Sequence, residues 1–245
     1  YHDYSYHIDF EQEKFRTVKA PESLDVRPFS YQITGIPDFS PSCYDSRKIS
    51  FSYNGNEESF TVPMNPQMLT YFTNYPVIDY RYQFSIPLSS ATYSSLIPQL
   101  KKRLQEASTT EGVEYLMFLV RNAFPFQRDS EKFGLEKRFS PEETLVAEKS
   151  DCEDRSALFF ALVKEVYQLP MIVLSYPEHV TVAVGLAKPV GHTINYNGRK
   201  YTLCEPTPQK RDLALGELMP QLKSQPCDVV WQYDPEIKSI NSTGH

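Results

Sequence analysis

Between residues 156 and 166 the chain carries Leu158, Phe159, Phe160, Ala161, Leu162, Val163 and Val166, apolar positions that wrap nearly all round a helix. Such a helix needs burial on most of its sides, so the other elements must be arranged around it. The pattern then changes. Residues 171–174 read as a strand, and His179-Val180-Thr181-Val182-Ala183-Val184 alternates as a second. Residues 194–196 and 199–203 flank Asn197-Gly198, a two-residue hairpin turn, and Val229-Val230-Trp231 reads as an edge strand. In the second strand Val180, Val182 and Val184 share one face. His179, Thr181, Ala183 and Gly185 share the other, and its small residues suggest close approach of a helix there. Helices followed by antiparallel strands predict an α+β domain.

Upstream, residues 1–88 read as a β-rich region with irregular pieces. Ile49, Phe51 and Tyr53 alternate with polar residues, Asn54-Gly55 follows, and Phe60 and Val62 alternate again. This is a hairpin signal, expected to be loosened by the extra residues 56–59, while prolines 63, 66, 76 and 87 cut the region into short segments. It reads either as a small β domain or as an extension wrapped on a main domain of residues 89–245. From Ser89 the spacing of Tyr93, Leu96, Ile97, Leu100 and Leu104 is helical, and Pro98 predicts a late start. Ser108 with Glu111 forms a capping box before the next helix. Residues 124–139 read as a loop, and Ser140-Pro141-Glu142-Glu143 as a helix start with a cap and a proline at the first position.

Composition narrows the function. A chain of 245 residues has ample length for a core, and a net charge of −6 argues against a nucleic-acid binder. The densest basic cluster, Lys101-Lys102-Arg103, reads as a solvated helix face. No apolar run approaches the ~20 residues that span a bilayer. The first residue is Tyr1 and not Met, from which we expect an N-terminal piece to have been removed, so a missing signal peptide does not indicate the compartment. Seventeen Tyr, nineteen Pro and the sequon-like Asn241-Ser242-Thr243 lean towards an extracytoplasmic protein, periplasmic or secreted. The four cysteines, Cys43, Cys152, Cys204 and Cys227, include no C-x-x-C pair and do not suggest a structural zinc site. One bridge among Cys43, Cys204 and Cys227 is compatible with the sequence but not deducible from it. Nothing in the sequence bears on oligomeric state.

The chemistry concentrates where the buried helix begins. In Ser150-Asp151-Cys152-Glu153-Asp154-Arg155, Ser150 and Glu153 have capping-box spacing, which makes Ser150 the expected N-cap and puts Cys152 in the first turn. The positive end of a helix stabilises a thiolate, the reactive form of cysteine. The neighbouring carboxylates work against it, so a histidine is needed as well. Of the five histidines, only His179 and His192 lie in the helical and strand-rich part, and His192 sits in a loop with Pro189 and Gly191 where solvation explains it. Glu205 shares a strand face with Tyr201 and Leu203, and Pro206 ends the ladder. A carboxylate there can hold a histidine ring nitrogen and fix its tautomer.

Together, Pro141-Glu142-Glu143-Thr144-Leu145, Ser150 to Ser156, the strand from His179 to Val184, and Leu203-Cys204-Glu205-Pro206-Thr207 resemble the transglutaminase-like superfamily, across about residues 110–210. Its bacterial members resemble cysteine peptidases in fold. The resemblance implies a papain-like core, with a nucleophile helix packed on an antiparallel sheet. It implies Cys152 as nucleophile, His179 as base and Glu205 as orienting carboxylate. The oxyanion hole is expected from the Cys152 backbone N–H, with Gln127 as the second donor. Two departures stand out: Ser150 replaces the usual glycine, and Glu205 stands where many members have Asp. Some members with an Asp-Cys-Glu turn bind calcium near the nucleophile, which makes Asp151 and Glu153 candidate ligands. A capping acidic turn is the preferred reading here, and no cofactor is expected. The implied activity is amide hydrolysis on a protein or peptide through a thioester on Cys152. The alternatives are a transglutaminase, which resolves the same thioester with an amine, and a binding or scaffold module that keeps the fold without turnover.

Overall fold

The computed structural model describes residues 32–73, 75–127 and 137–236. Among the described residues, the first sheet is an antiparallel hairpin of β1 (Asp45–Tyr53) and β2 (Asn56–Met64), paired in register from Asp45↔Met64 to Tyr53↔Asn56. Residues 56–59, expected to loosen this hairpin, are part of β2 instead. Asn54 (φ 51°) and Gly55 (φ 78°) form the whole two-residue turn, and their left-handed backbone matches the twist of the strands.

Four helices follow: α1 (Gln67–Thr73), α2 (Tyr80–Gln83), α3 (Ser90–Arg103) and α4 (Thr109–Ala123). α3 starts well before Pro98, contrary to the sequence expectation. Pro98 lies on the exposed side, while Ser89 caps the first turn and Leu96, Ile97 and Leu100 anchor the buried face. The lost N–H of one exposed proline is outweighed by that packing. The α3 cap is reinforced from a distance. The buried Glu142 carboxylate accepts from the Ser89 N–H (3.0 Å), the Ser89 hydroxyl (2.8 Å) and the Thr92 hydroxyl (2.5 Å). Ser108 and Glu111 cap α4 reciprocally, as expected.

The short α5 (Pro141–Val146) then leads to the long α6 (Cys152–Tyr167). After α6 comes a five-stranded antiparallel sheet in the order β5-β6-β4-β3-β7, with β3 Met171–Tyr176, β4 His179–Val184, β5 Thr193–Tyr196, β6 Arg199–Cys204 and β7 Asp228–Tyr233. The architecture is α+β with an antiparallel sheet. The 228–233 strand takes the edge beside β3.

Both faces of the sheet are covered. Val180, Val182 and Val184 of β4 join Leu158, Phe159, Leu162 and Val163 of α6 in the larger core. α3, α4 and the hairpin residues Ile49, Phe51, Phe60 and Val62 complete that core. α6 therefore packs on the valine face of β4, not on the His179–Thr181–Ala183 face expected from the small side chains. Apolar area decides it, at roughly 25 cal/mol per Å² buried: the valine row covers more of the apolar helix than Thr181 and Ala183 can. The second face, with Ile172, Leu174, Ala183, Tyr201 and Leu203, is covered by Leu213, Met219 and Leu222 from the segment after β6. That face also carries the histidine.

Residues 1–31 and 128–136 lie outside the described residues, as do residues 237–245, which include Asn241-Ser242-Thr243. Among the described residues no helix is long and apolar enough to cross a membrane.

Candidate active site

The turn before α6 is capped one residue later than the sequence predicts. Asp151, not Ser150, is the N-cap: its carboxylate accepts from the Asp154 N–H (3.3 Å), and the Asp154 carboxylate accepts from the Asp151 N–H (3.3 Å). Asp154 also accepts from the Phe139 N–H at 2.7 Å, a tertiary bond that ties the turn to the chain entering α5 and selects this register. Ser150 instead joins the segment after α4. Its N–H donates to the Pro125 carbonyl (3.2 Å) and its carbonyl accepts from the Gln127 N–H (3.2 Å). Cys152 thus becomes the first residue of the helix. Its backbone N–H has no acceptor within the helix and is suited to hold an oxyanion.

Cys152 is half-buried as a residue, and the partners of its sulfur are mixed. The Cys152 thiol donates to Oε2 of Glu153 at 2.8 Å, while the Val180 N–H donates to the sulfur from β4. Burial pushes the thiol well above its ordinary value, helped by the charges of Glu153 and Asp151; the Val180 bond pulls the other way without offsetting them.

His179 opens β4 and is buried, with 8% of its surface exposed. Its Nε2 lies 2.7 Å from Oε2 of Glu205, which leaves Nδ1 as the ring nitrogen available for proton exchange. The sheet register makes this contact. Val182 pairs with Cys204 and Ala183 with Leu203, so continuing the ladder puts Glu205 opposite Thr181 and diagonal to His179. Diagonal neighbours on one sheet face sit roughly 7–8 Å apart, within reach of a long side chain. The length of the glutamate side chain serves that reach.

Glu205 is held at three points besides His179. Its second carboxylate oxygen accepts from the Thr207 N–H (2.9 Å), and its carbonyl accepts from both Nε (3.2 Å) and Nη2 of Arg121. Arg121, buried in the last turn of α4, also donates to the Leu213 carbonyl (2.9 Å). One guanidinium therefore fixes the end of β6 relative to the segment that covers the histidine face. Sequence reasoning missed this role. A lone arginine in a last turn reads as a solvated cation, and only the fold brings Glu205 to it.

Cys152 and His179 line one cleft of about 690 Å³, with Phe126, Tyr176, Glu153 and Met219 among its walls. Phe126, not Gln127, lies on this cleft; successive side chains of an extended segment point to opposite sides. The Gln127 backbone N–H is already committed to Ser150, so an oxyanion contact from Gln127 would fall to its side-chain amide. Glu205 stands behind His179. His192 lies apart, its N–H donating to the Gly216 carbonyl at 2.6 Å. All four cysteines, Cys43, Cys152, Cys204 and Cys227, are free thiols. Among the described residues no group of three or more His, Cys, Asp or Glu is arranged to hold a metal ion. Asp151 is used as a cap and Glu153 as the partner of the thiol.

The thiols make alkaline pH a test of this geometry. Burial raises the pKa of Cys204 as well as of Cys152. A group whose folded pKa is raised holds its proton more tightly when folded, so its stabilisation is present below the unfolded value near 9 and is lost as pH rises above it. Urea unfolding should therefore show a loss of about 1–2 kcal/mol between pH 8.5 and 10, the size of a one-unit shift at each thiol. Cys204→Ala should flatten the slope. A pH-independent midpoint over that interval would contradict the buried thiols.

No protein-family model matches this chain. A comparison with curated proteins finds no match either.

Proposed function

We propose that this chain is a cysteine-dependent amide hydrolase, a peptidase or amidase of transglutaminase-like type, in which Cys152, His179 and Glu205 work as a triad. The observation that carries the reading is the placement of Cys152, at a helix N-terminus, and His179 on one cleft, with Nε2 of the histidine 2.7 Å from a buried glutamate. A nucleophile, a base and a group that orients the base are the parts covalent amide chemistry requires. The cleft volume falls within the range of roughly 300–1,000 Å³ that accommodates a small substrate or peptide segment.

In the proposed reaction the Cys152 sulfur attacks the amide carbon as Nδ1 of His179 takes the thiol proton. The Cys152 N–H stabilises the oxyanion. The C–N bond then breaks, the departing amine takes the proton from His179, and a thioester remains. Water gives a proton to His179 and adds to the thioester carbon. The C–S bond breaks, the acid departs, and the proton returns to sulfur. Glu205 keeps Nε2 protonated and supports the positive ring throughout.

The test is direct capture of the intermediate. Acid quenching during incubation with a library of peptide amides should give an acyl adduct on the Cys152 peptide by mass spectrometry, absent in Cys152→Ala. Released acid identifies water as the acceptor. A product joined to added amine would instead identify the transferase with the same triad. No adduct and no product across the library would favour a binding or scaffold role.

A further inference from the structure

The β4–β6 register leaves one residue of β4 without a ladder partner, and α6 supplies one. Val182 pairs with Cys204 and Val184 with Thr202, so the backbone groups of Val180, two residues earlier, face the same edge. The residue that would continue β6 opposite Val180 is Pro206, which lies past the end of the strand at Cys204 and has no N–H to give. The hydroxyl of Ser156, a fully buried residue one turn after Cys152, donates instead to the Val180 carbonyl at 3.0 Å. The Val180 N–H donates to the sulfur of Cys152, four residues before Ser156 and on the same helix face. A strand residue presents its N–H and C=O on one side, so the two bonds seat one residue of β4 against two positions of α6.

We propose that the Val180 N–H is the donor that supports negative charge on the Cys152 sulfur, and that Ser156 is the positioning residue that aims it. The proposal rests on Cys152 being the nucleophile. In the cycle given above, negative charge stands on sulfur twice. It forms when His179 takes the thiol proton, and again when the C–S bond of the thioester breaks and its electron pair returns to sulfur. A hydrogen bond to a charged acceptor is stronger than one to a neutral acceptor, so this bond favours both stages over the protonated sulfur. The Cys152 N–H serves a different atom, the oxygen of the attacked carbonyl, so neither donor replaces the other. Ser156 is not part of the cleft lining and acts only through the backbone of β4. Ser156→Ala keeps the sulfur, His179 and Glu205. It leaves the Val180 carbonyl buried without its donor, and the first residues of β4 must shift to satisfy it, which carries the N–H away from the sulfur.

Two readouts need no turnover. The first is the NMR signal of the Val180 amide proton. It should move upfield in Cys152→Ala, which removes the acceptor, and in Ser156→Ala, which removes the aim. It should hold its place in Ser156→Thr, which keeps the hydroxyl. Leu100→Ala, a core truncation in α3, measures the drift caused by a general loss of packing. The second readout is alkylation of Cys152 by iodoacetamide at pH 7, which forms an S–C bond and releases iodide. Mass spectrometry follows it on the Cys152 peptide. Ser156→Ala should slow it about tenfold, the lower end for a hydrogen bond to a charged group, and Ser156→Thr should return it to within about twofold of wild type. The sign separates positioning from structure. Loosened packing exposes a half-buried thiol and speeds alkylation, whereas loss of the donor slows it. On an amide substrate kcat should fall by a similar factor with KM held within about twofold. Unchanged or faster alkylation in Ser156→Ala overturns the proposal. So does a Val180 proton that moves no further in Cys152→Ala than in Leu100→Ala. If Ser156→Ala does not fold, Ser156→Cys, close in size and a poorer donor, is held to the same criteria. Slower alkylation in a protein that cleaves no amide would keep the donor and remove the hydrolase. Amide cleavage with unaltered alkylation would keep the hydrolase and remove the donor.

Discussion

His179→Ala should lower kcat/KM on amide substrates by about 10³–10⁴-fold, near the upper range for loss of a positioned general acid–base. The same ring must take the thiol proton and return it to the leaving amine, so no step of the proposed cycle avoids it. The effect should be large here because burial and the charges of Glu153 and Asp151 raise the Cys152 thiol and oppose its ionisation. A preformed thiolate would retain attack without its base; a neutral thiol does not. Glu205→Gln provides the graded comparison. It removes the charge 2.7 Å from Nε2 while keeping the bulk of the side chain, and should cost less than loss of the ring. Kinetics on any substrate captured as a thioester would measure both. A drop of under threefold for His179→Ala, in protein that remains folded by circular dichroism, would remove the histidine from the mechanism.

Arg155→Met should destabilise the protein by about 3–5 kcal/mol, the cost of removing one partner from a buried charged network. Arg155 is fully buried one turn into α6. Nη1 donates to the carbonyls of Val120 (3.0 Å) and Arg121 (3.1 Å), Nη2 to that of Phe124, and Nε reaches that of Ser150 (3.5 Å). Three of these carbonyls end α4, where the last turn has no backbone donors of its own. Methionine has comparable length and no donors, so it would leave them unsatisfied in a dry core. Burial pulls the Arg155 pKa down to about 10, which still keeps it charged at neutral pH. Urea denaturation at pH 7 measures the loss, and a change below about 1 kcal/mol would mean that water reaches these carbonyls. Because Arg155 also grips Ser150, two residues before the nucleophile, labelling of Cys152 should become faster in any fraction of the variant that folds.

Much of this architecture is written locally. The all-round apolar pattern of residues 156–166 demanded a buried helix, and α6 is that helix. Asn54-Gly55 and Asn197-Gly198 each specify a two-residue turn because both members adopt left-handed backbone, and both pairs do so. The caps at Ser108 and Ser140 were also legible, since a capping box is satisfied within four residues.

The sequence by itself determined the hairpin, the main elements after residue 89 and their order, and the residue types suited to thiol chemistry; α1 and α2 lie in a region that it read as β-rich and irregular, because seven- and four-residue helices are too short to show a period. Only the tertiary structure decided which of their groups meet. The helix cap moved from Ser150 to Asp151 because Asp154 also bonds Phe139, a partner with no fixed distance in sequence. α6 chose the valine face of β4 because apolar area outweighs small side chains when two elements pack. Glu205 reaches His179 because the β4–β6 register sets them diagonally, and Arg121 from α4 then holds its carbonyl. The thiol of Cys152 bonds Glu153, its neighbour in sequence, yet even that contact depends on the side chains being enclosed together. Local patterns follow from the preferences of short peptide segments. Pairings across many residues, and the ionisation states they impose, follow from burial, which exists only once the chain has folded.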